Sequence, residues 1–254
     1  MGDFKEPRAS VDAVDVFGIV PLQVPPERSL VLVQWPVPIV ARRGGLIPFG
    51  VFALLFVVFS GYSEPSVLLP LALFGGIGGV VSLIVHELGH VSIARKLSGV
   101  RPEKVELMSL GAAAHFEGSY RSGREQARMA LGGPEASFAF ALALTVPVLL
   151  SVPGPVKVGA LALALLNVAI GVLSLLPFHP LDGHKLIVGL VWSVVGSEAK
   201  ARRIVKRIGM CLVFFDISMA VLLLAERPVL GAAVIGLAAV AFGQKHVLRR
   251  LTSA

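Results

Sequence analysis

Three residues spaced for metal chemistry lie in the segment His86-Glu87-Leu88-Gly89-His90, which ends an apolar run over residues 68–85. Residues four apart share one face of a helix, so His86 and His90 can present two imidazole nitrogens to one ion. Zinc accepts such a pair and leaves positions for a third ligand and a water. Glu87 lies beside them, where it could take a proton from that water. The alternative is a chance match within a buried helix, but two histidines and a glutamate at membrane depth are costly unless they serve a function.

A third protein ligand must come from elsewhere in the chain, and few carboxylates lie in or near apolar segments: Glu135, Asp182 and Asp216. Asp182 follows two prolines in a predicted helix break, and irregular backbone at membrane depth is tolerated only where it lines a cavity or is buried in protein. Asp216 has apolar sequence on both sides and no companion motif. Glu135 follows a proline at a predicted helix start, where a carboxylate favours the helix dipole without chemistry. The residues alone favour Asp182 and leave the other two open.

The composition is that of a polytopic membrane protein. Of the 254 residues, 55% are hydrophobic and only 15% are charged, and the mean hydropathy is +0.82. Several apolar segments are long enough to cross roughly 30 Å of hydrocarbon. The net charge of +7 does not indicate nucleic acid, because the basic residues gather at the ends of apolar segments. Cys211 is the only cysteine, which excludes a disulfide within the chain, and the acidic N-terminal sequence does not predict a cleavable signal peptide.

The pattern predicts an all-α polytopic membrane protein of about six transmembrane helices, with a small β element between the second and third. The predicted spans are residues 46–62, 68–97, 129–150, 158–195 with a break, 208–225 and 228–242. The β element is one or two short strands within Lys104–Glu117. Residues 1–43 form an N-terminal segment of short extended pieces because prolines interrupt it repeatedly. Residues 44–244 form the transmembrane domain, and residues 245–254 form a basic tail.

Loop charges predict the orientation in the membrane. With the broken segment 158–195 counted as one crossing, one side carries the basic clusters that flank the spans, including seven residues from Arg95 to Arg128 and five from Lys200 to Arg207. The opposite loops carry only Lys157 and Arg227. The positive-inside rule then predicts a multi-pass protein of the cell membrane with both termini in the cytosol.

Two motifs far apart in the chain resemble those of the site-2 protease family of intramembrane zinc metalloproteases. They are His86-Glu-Leu-Gly-His90 and Leu175-Leu-Pro-Phe-His-Pro-Leu-Asp182-Gly183. Gly133-Pro134-x-x-Ser137 is similar to the family's Gly-Pro-x-x-Asn element, and the resemblance covers about residues 46–200. It implies that Zn2+ is bound by His86, His90 and Asp182, that Glu87 is the general base, and that the chain is a zinc metalloendopeptidase.

The resemblance also implies a substrate and a way to present it. The substrate would be a membrane-spanning protein in the lipid bilayer, cleaved within or next to a transmembrane segment, as in regulated intramembrane proteolysis. Strands between the second and third spans, here Lys104–Glu117, would guide an extended substrate. The chain resembles the compact members without a PDZ domain. It departs from the family at Ser137 and Ser174, which stand where Asn is usual.

Two alternatives compete with this interpretation. One is the other class of His-Glu-x-x-His membrane protease, whose third ligand is a glutamate on a later helix, but no matching Glu-x-x-x-Asp helix follows. The other is a non-proteolytic zinc-binding membrane protein, either a transporter or a pseudoprotease. A transporter would be expected to carry acidic or histidine residues on several spans, which this sequence lacks. A pseudoprotease would usually have lost Glu87.

Overall fold

The computed structural model describes residues 30–209 except 34–36, 43, 60, 62–63, 110 and 151–153. Most of this part of the chain is helical, and a four-stranded sheet accompanies the helices. The predicted spans beyond residue 209, the basic tail 245–254 and the candidate ligand Asp216 lie outside the described residues, as do residues 1–29.

The helices follow the predicted spans closely. They are α1 (Ile47–Phe59), α2 (Pro65–Ala94), α3 (Gly123–Leu144), α4 (Val146–Leu149), α5 (Gly154–Ser174) and α6 (Asp182–Val195), and residues 198–209 are also helical. Within the described residues, three helical stretches are long and apolar enough to cross a membrane: Pro65–Ala94, Gly123–Leu149 and Val156–Ser174. Helix α1 is apolar but shorter.

The sheet is larger than the predicted β element. Strands β3 (Val100–Met108) and β4 (Gly111–Gly118) form an antiparallel hairpin between α2 and α3, where one or two short strands were predicted within Lys104–Glu117. The N-terminal segment adds β1 (Leu30–Val33) and β2 (Ile39–Ala41), and β2 runs parallel to β3 in the order β1-β2-β3-β4. The all-α description is therefore too simple, because short extended pieces of the N-terminal segment gain hydrogen-bonding partners from a hairpin about 60 residues later in the chain.

The sheet packs on α2 beside the predicted metal site. Val91 of α2 lies in one buried apolar cluster with Ile39 of β2 and Val105 of β3, and Leu88 packs against the cluster. Burial of these side chains fixes the hairpin at the level of the His86–His90 turns.

Glycines on α2 allow a close approach of α1. A Cβ atom at Gly75 would lie 2.2 Å from Cγ of Phe56, and one at Gly79 would lie 2.2 Å from Cγ of Phe52. Phenylalanine rings of α1 therefore fill the space that side chains would take, which is the packing that small residues permit between membrane helices.

Helix α3 begins six residues before the predicted start of the third span at residue 129. Ser122 caps it: Oγ of Ser122 accepts from the amide of Glu125 at 3.3 Å, and the Glu125 carboxylate accepts from the amide of Arg121 at 2.8 Å. This Ser-x-x-Glu capping box is a sequence signal for a helix start. The prediction missed it because it relied on the onset of apolar residues, and the first two turns of α3 are polar. Glu135 therefore lies inside a helix rather than at its start.

Candidate metal centre

Helices α2 and α3 cross with their backbones nearly touching. A Cβ atom at Gly89 would lie 2.1 Å from the carbonyl oxygen of Gly132, and one at Gly132 would lie 2.8 Å from that of Gly89. Only glycine fits both positions without a shift of backbone. The crossing places the last turns of α2 against the middle of α3, so groups of α3 reach the imidazole rings of His86 and His90.

Helix α6 is held against the start of α3 in a similar way. A Cβ atom at Gly123 would lie 2.2 Å from the Gly189 carbonyl oxygen, and one at Gly189 would lie 2.7 Å from the Ala127 nitrogen. The buried amide of Gln126 adds a polar contact, since its Nε2 donates to the carbonyl of Lys185 at 3.1 Å. Helix α3 thus links α2 to α6, whose first residue is Asp182.

His86, His90 and Asp182 converge on one point. Oδ2 of Asp182 lies 3.2 Å from Nε2 of His86 and 3.1 Å from Nε2 of His90. Each of the three residues is only 6% exposed. One donor atom from each lies within 4.8 Å of the others, and this is a group of the described residues that could hold a metal ion.

The hydrogen bond on the far side of His90 leaves Nε2 of the ring free to bind either a metal ion or a second proton. Nδ1 of His90 lies 2.8 Å from the Met129 carbonyl oxygen, which can only accept, so Nδ1 carries a hydrogen. The Gly133 amide lies 3.3 Å from the same Nδ1, but the shorter contact decides the tautomer. A neutral ring then turns the lone pair of Nε2 toward the Asp182 carboxylate. Two lone pairs 3.1 Å apart repel unless a proton or a metal ion lies between them.

His86 is oriented by Ser137 of α3. Nδ1 of His86 lies 2.9 Å from Oγ of Ser137, which is fully buried. A hydroxyl oxygen can accept from Nδ1–H and so leave the Nε2 lone pair toward Asp182, which is the usual support for a metal-binding imidazole. The sequence analysis noted Ser137 only as a departure from a family element. The residue pattern carried no sign of this contact, because it joins residues 51 apart.

Only glycine fits at residue 133, because a side chain there would meet the Nε2 atoms of His86 and His90. A Cβ atom at Gly133 would lie 2.4 Å from Nε2 of His90 and 2.5 Å from Nε2 of His86. The backbone of α3 therefore forms one wall of the site. The donor set of two imidazole nitrogens and one carboxylate oxygen suits Zn2+.

The second oxygen of Asp182 has its own partner. Nζ of Lys185 lies 3.0 Å from Oδ1, one turn along α6. Asp182 therefore directs Oδ2 to the two histidines while Lys185 holds Oδ1. Its place as the first residue of α6 also brings its negative charge to the positive end of the helix dipole.

Glu87 contacts the edge of the sheet rather than the other three residues. Its Oε2 accepts from the backbone amide of Ala114 in β4 at 2.8 Å, and the side chain is partly exposed. It is adjacent in sequence to His86 but is not among the described residues whose donor atoms converge at Asp182.

The remaining candidate residues lie apart from the cluster. Glu135 is exposed on α3. Oγ of Ser174 donates to the carbonyl of Gly171 in its own helix at 3.0 Å. This bond does not direct the Ser174 hydroxyl to the three candidate metal ligands. Asn167 is fully buried, and its Nδ2 donates to Oγ of Ser82 at 2.8 Å, which joins α5 to α2.

The sheet carries a separate ionic cluster around buried Glu106. Its carboxylate lies 2.9 Å from Nε2 of His115, 3.4 Å from Nζ of Lys104 and 3.7 Å from Nε of Arg42. Burial lowers the pKa of His115, although the Glu106 carboxylate opposes that shift. His115 is not part of the group of described residues that could hold a metal ion. Burial also raises the pKa of Tyr120. The Tyr120 side chain lies in a buried apolar cluster with Val100 of β3 and Met129 of α3.

Several proteins that are similar to the chain in sequence are named zinc metalloproteases. Over 131 residues the chain is 30% identical to "Putative zinc metalloprotease sll0528" of Synechocystis sp., a match that covers 50% of this chain and 34% of the relative. Over 137 residues it is 36% identical to "Putative zinc metalloprotease Rip3" of Mycobacterium tuberculosis, with the same coverage. It is 29% identical over 152 residues to the zinc metalloprotease MJ0392 of Methanocaldococcus jannaschii, covering 57% of this chain and 43% of the relative. The chain thus matches between a third and a half of the length of these relatives.

The fold is similar to that of a solved protease. The structure of the site-2 protease from Methanocaldococcus jannaschii matches with a TM-score of 0.53 and 22% identity, covering 86% of this chain and 94% of that one. No protein-family model matches the chain. The chain thus shares the fold of that protease, and its sequence relatives are named zinc metalloproteases.

Proposed function

We propose that the chain is an intramembrane zinc metalloprotease, which hydrolyses peptide bonds within or next to the transmembrane segments of membrane-spanning proteins. The observation that carries the proposal is the convergence of Nε2 of His86, Nε2 of His90 and Oδ2 of Asp182 at a buried point that could hold a metal ion. The zinc metalloprotease names of the sequence relatives support the same activity.

His86, His90 and Asp182 would hold the zinc, and Glu87 would act as the general base. Zinc bound there supplies a Lewis acid that polarises the scissile carbonyl and lowers the pKa of a bound water. Glu87 accepts a proton from the attacking water and passes it to the leaving amine. Ser137 and the Met129 carbonyl keep both imidazole rings in the required tautomer.

The β4 strand would receive the substrate. It is the last strand of the sheet, and an extended peptide can add to such an edge through main-chain hydrogen bonds. The contact between β4 and Glu87 supports this placement, because a strand added there would lie beside the general base.

The membrane arrangement proposed from the charge pattern has six crossings and both termini in the cytosol. The three long apolar helices of the described residues support the second, third and fourth crossings. The transmembrane metalloprotease domain would then extend over residues 44–244, preceded by the segment 1–43 and followed by the basic tail 245–254.

Glu87→Gln tests the proposed activity. Gln cannot accept the proton but leaves the three metal donors in place, so cleavage should be lost while zinc stays bound. Zinc content of the purified protein and cleavage of a reconstituted membrane-spanning substrate measure the two properties separately. Glu135→Gln is the matched control, because Glu135 is exposed on α3, and it should retain both. Full cleavage by the Glu87→Gln protein would refute the proposed mechanism.

A further inference from the structure

The hydrogen-bonding direction of each β4 residue follows from its partner in β3. Val105 is paired with Ala114, and Leu107 with Ala112. The amide of Val105 donates to Pro38 at 2.9 Å, and the carbonyl of Leu107 accepts from Arg42 at 3.0 Å, so both β3 residues turn their backbone groups toward β2. In an antiparallel ladder, opposite residues either both face each other or both face away. Ala112 and Ala114 therefore turn their backbone groups outward, to the edge of the sheet.

The outward amide of Ala114 is held by Glu87. It donates to Oε2 of the carboxylate at 2.8 Å. The Glu87 carboxylate thus accepts the hydrogen of an outward-facing amide of the edge strand. A strand added at this edge would have to pair with the same amide. Glu87 cannot keep this bond and give the same donor to a peptide.

We propose that the Ala114 amide is a substrate-binding group that Glu87 holds until an extended segment of the substrate arrives. A backbone carbonyl of the substrate then accepts the Ala114 hydrogen, and the Glu87 carboxylate is released toward the water it must deprotonate. The inference rests on the proposed function. One hydrogen bond replaces another at the amide, so the exchange leaves no buried donor unsatisfied.

The exchange selects for unwound substrate. Within a helix, each carbonyl already accepts from the amide four residues later, so it has no strong acceptor site to offer Ala114. A segment opened by glycine or proline leaves carbonyls without such partners. Peptides with such a break should bind the β4 edge better than uninterrupted helices.

Substrate affinity of two inactive variants tests the exchange. The probe is a fluorescent single-span peptide of about 20 apolar residues, interrupted by a central Gly-Pro pair, in lipid nanodiscs with zinc-loaded protein. Gln at residue 87 still accepts from Ala114, whereas Ala does not. Glu87→Ala should bind the peptide about three- to tenfold more tightly than Glu87→Gln, the range expected for one net hydrogen bond. An uninterrupted polyleucine peptide should show no such difference.

Removal of the amide hydrogen supplies the control. Ala114→Pro deletes the donor, and proline is tolerated at an edge strand where the amide points outward. In that background, Glu87→Ala and Glu87→Gln should bind the peptide equally, while Ala112→Pro should leave the difference intact. Equal affinities without the proline, or a difference that persists with Ala114→Pro, would overturn the exchange.

Hydrogen exchange of the Ala114 amide gives a measurement that needs no proline variant. Without peptide, this amide should exchange faster in Glu87→Ala than in Glu87→Gln, and the interrupted peptide should slow it in both. Unchanged exchange rates would contradict the contact. If the parent enzyme cleaves neither peptide nor any reconstituted membrane protein, the proposed function fails; if it cleaves them but the two variants bind equally, only the exchange fails.

Discussion

The hydrogen-bond partners of the two histidines decide whether they can bind a metal. His86 and His90 both direct Nε2 toward Asp182, and each has its Nδ1 at a group that can accept a hydrogen, the Ser137 hydroxyl or the Met129 carbonyl. Spacing along α2 predicted the shared face, and the scarcity of carboxylates in apolar sequence favoured Asp182. Neither observation could reveal Ser137 or Met129 as partners, because those contacts depend on the crossing of two distant helices.

Loss of the Ser137 hydroxyl should weaken zinc binding. In Ser137→Ala, Nδ1 of His86 loses its partner, and loss of such a support typically reduces metal affinity about 10- to 100-fold. Competition with a chromophoric chelator measures the affinity. Ser174→Ala is the control, since that hydroxyl bonds only its own helix in the described contacts, and it should bind zinc like the parent. Equal affinity in both variants would show that Ser137 does not orient His86.

Close helix packing positions the site at the scale of the elements. Gly89 and Gly132 let α2 and α3 touch, and Gly123 and Gly189 do the same for α3 and α6. The sequence predicted the helices from their apolar runs. It did not predict the partners of Gly89, or that β2 would join β3, because each depends on residues far away in the chain. The start of α3 was predictable from its capping box.

A side chain at the α2–α3 crossing should loosen the site. In Gly89→Ala the new methyl group meets the Gly132 backbone, and overpacking of this kind costs about 1–3 kcal/mol. Both the thermal unfolding temperature in detergent and the zinc content should fall. Gly50→Ala on α1 is the control, because a Cβ atom there meets nothing within 4 Å and alanine favours a helix. A Gly89→Ala protein as stable as Gly50→Ala would contradict the tight crossing.

At the scale of the molecule, the described residues combine an apolar helical bundle with a sheet attached to the end of α2 that carries the histidines. Composition and span length predicted the helical bundle, and the sequence of Lys104–Glu117 predicted one or two short strands beside it. The proposed six crossings and cytosolic termini depend on charges in loops, several of which lie outside the described residues. Orientation in a bilayer depends on the membrane as well as on the protein. It is therefore tested by reporter fusions and not by the packing of the helices.

Reporter fusions test the orientation. A fusion after Ala254 and one within the loop of residues 153–157 should report opposite sides of the membrane, with the Ala254 fusion in the cytosol. The expectation follows from basic clusters on one side against Lys157 and Arg227 on the other. A fusion after residue 198, beside the basic run 200–207, should match the Ala254 fusion. The same side for Ala254 and residues 153–157 would refute six crossings.

Metal binding by Asp182→Asn tests the central claim most directly. Asn keeps the size of the side chain but loses the charge that binds the cation, and it cannot offer the two histidines an anionic oxygen. We expect the purified variant to lose most of its zinc, and the visible spectrum of the cobalt-substituted protein to change because a ligand has been replaced. Asp216→Asn should retain the zinc content and cobalt spectrum of the parent. If Asp182→Asn shows the zinc stoichiometry and cobalt spectrum of the parent, another residue completes the site, and the His86, His90 and Asp182 centre is wrong.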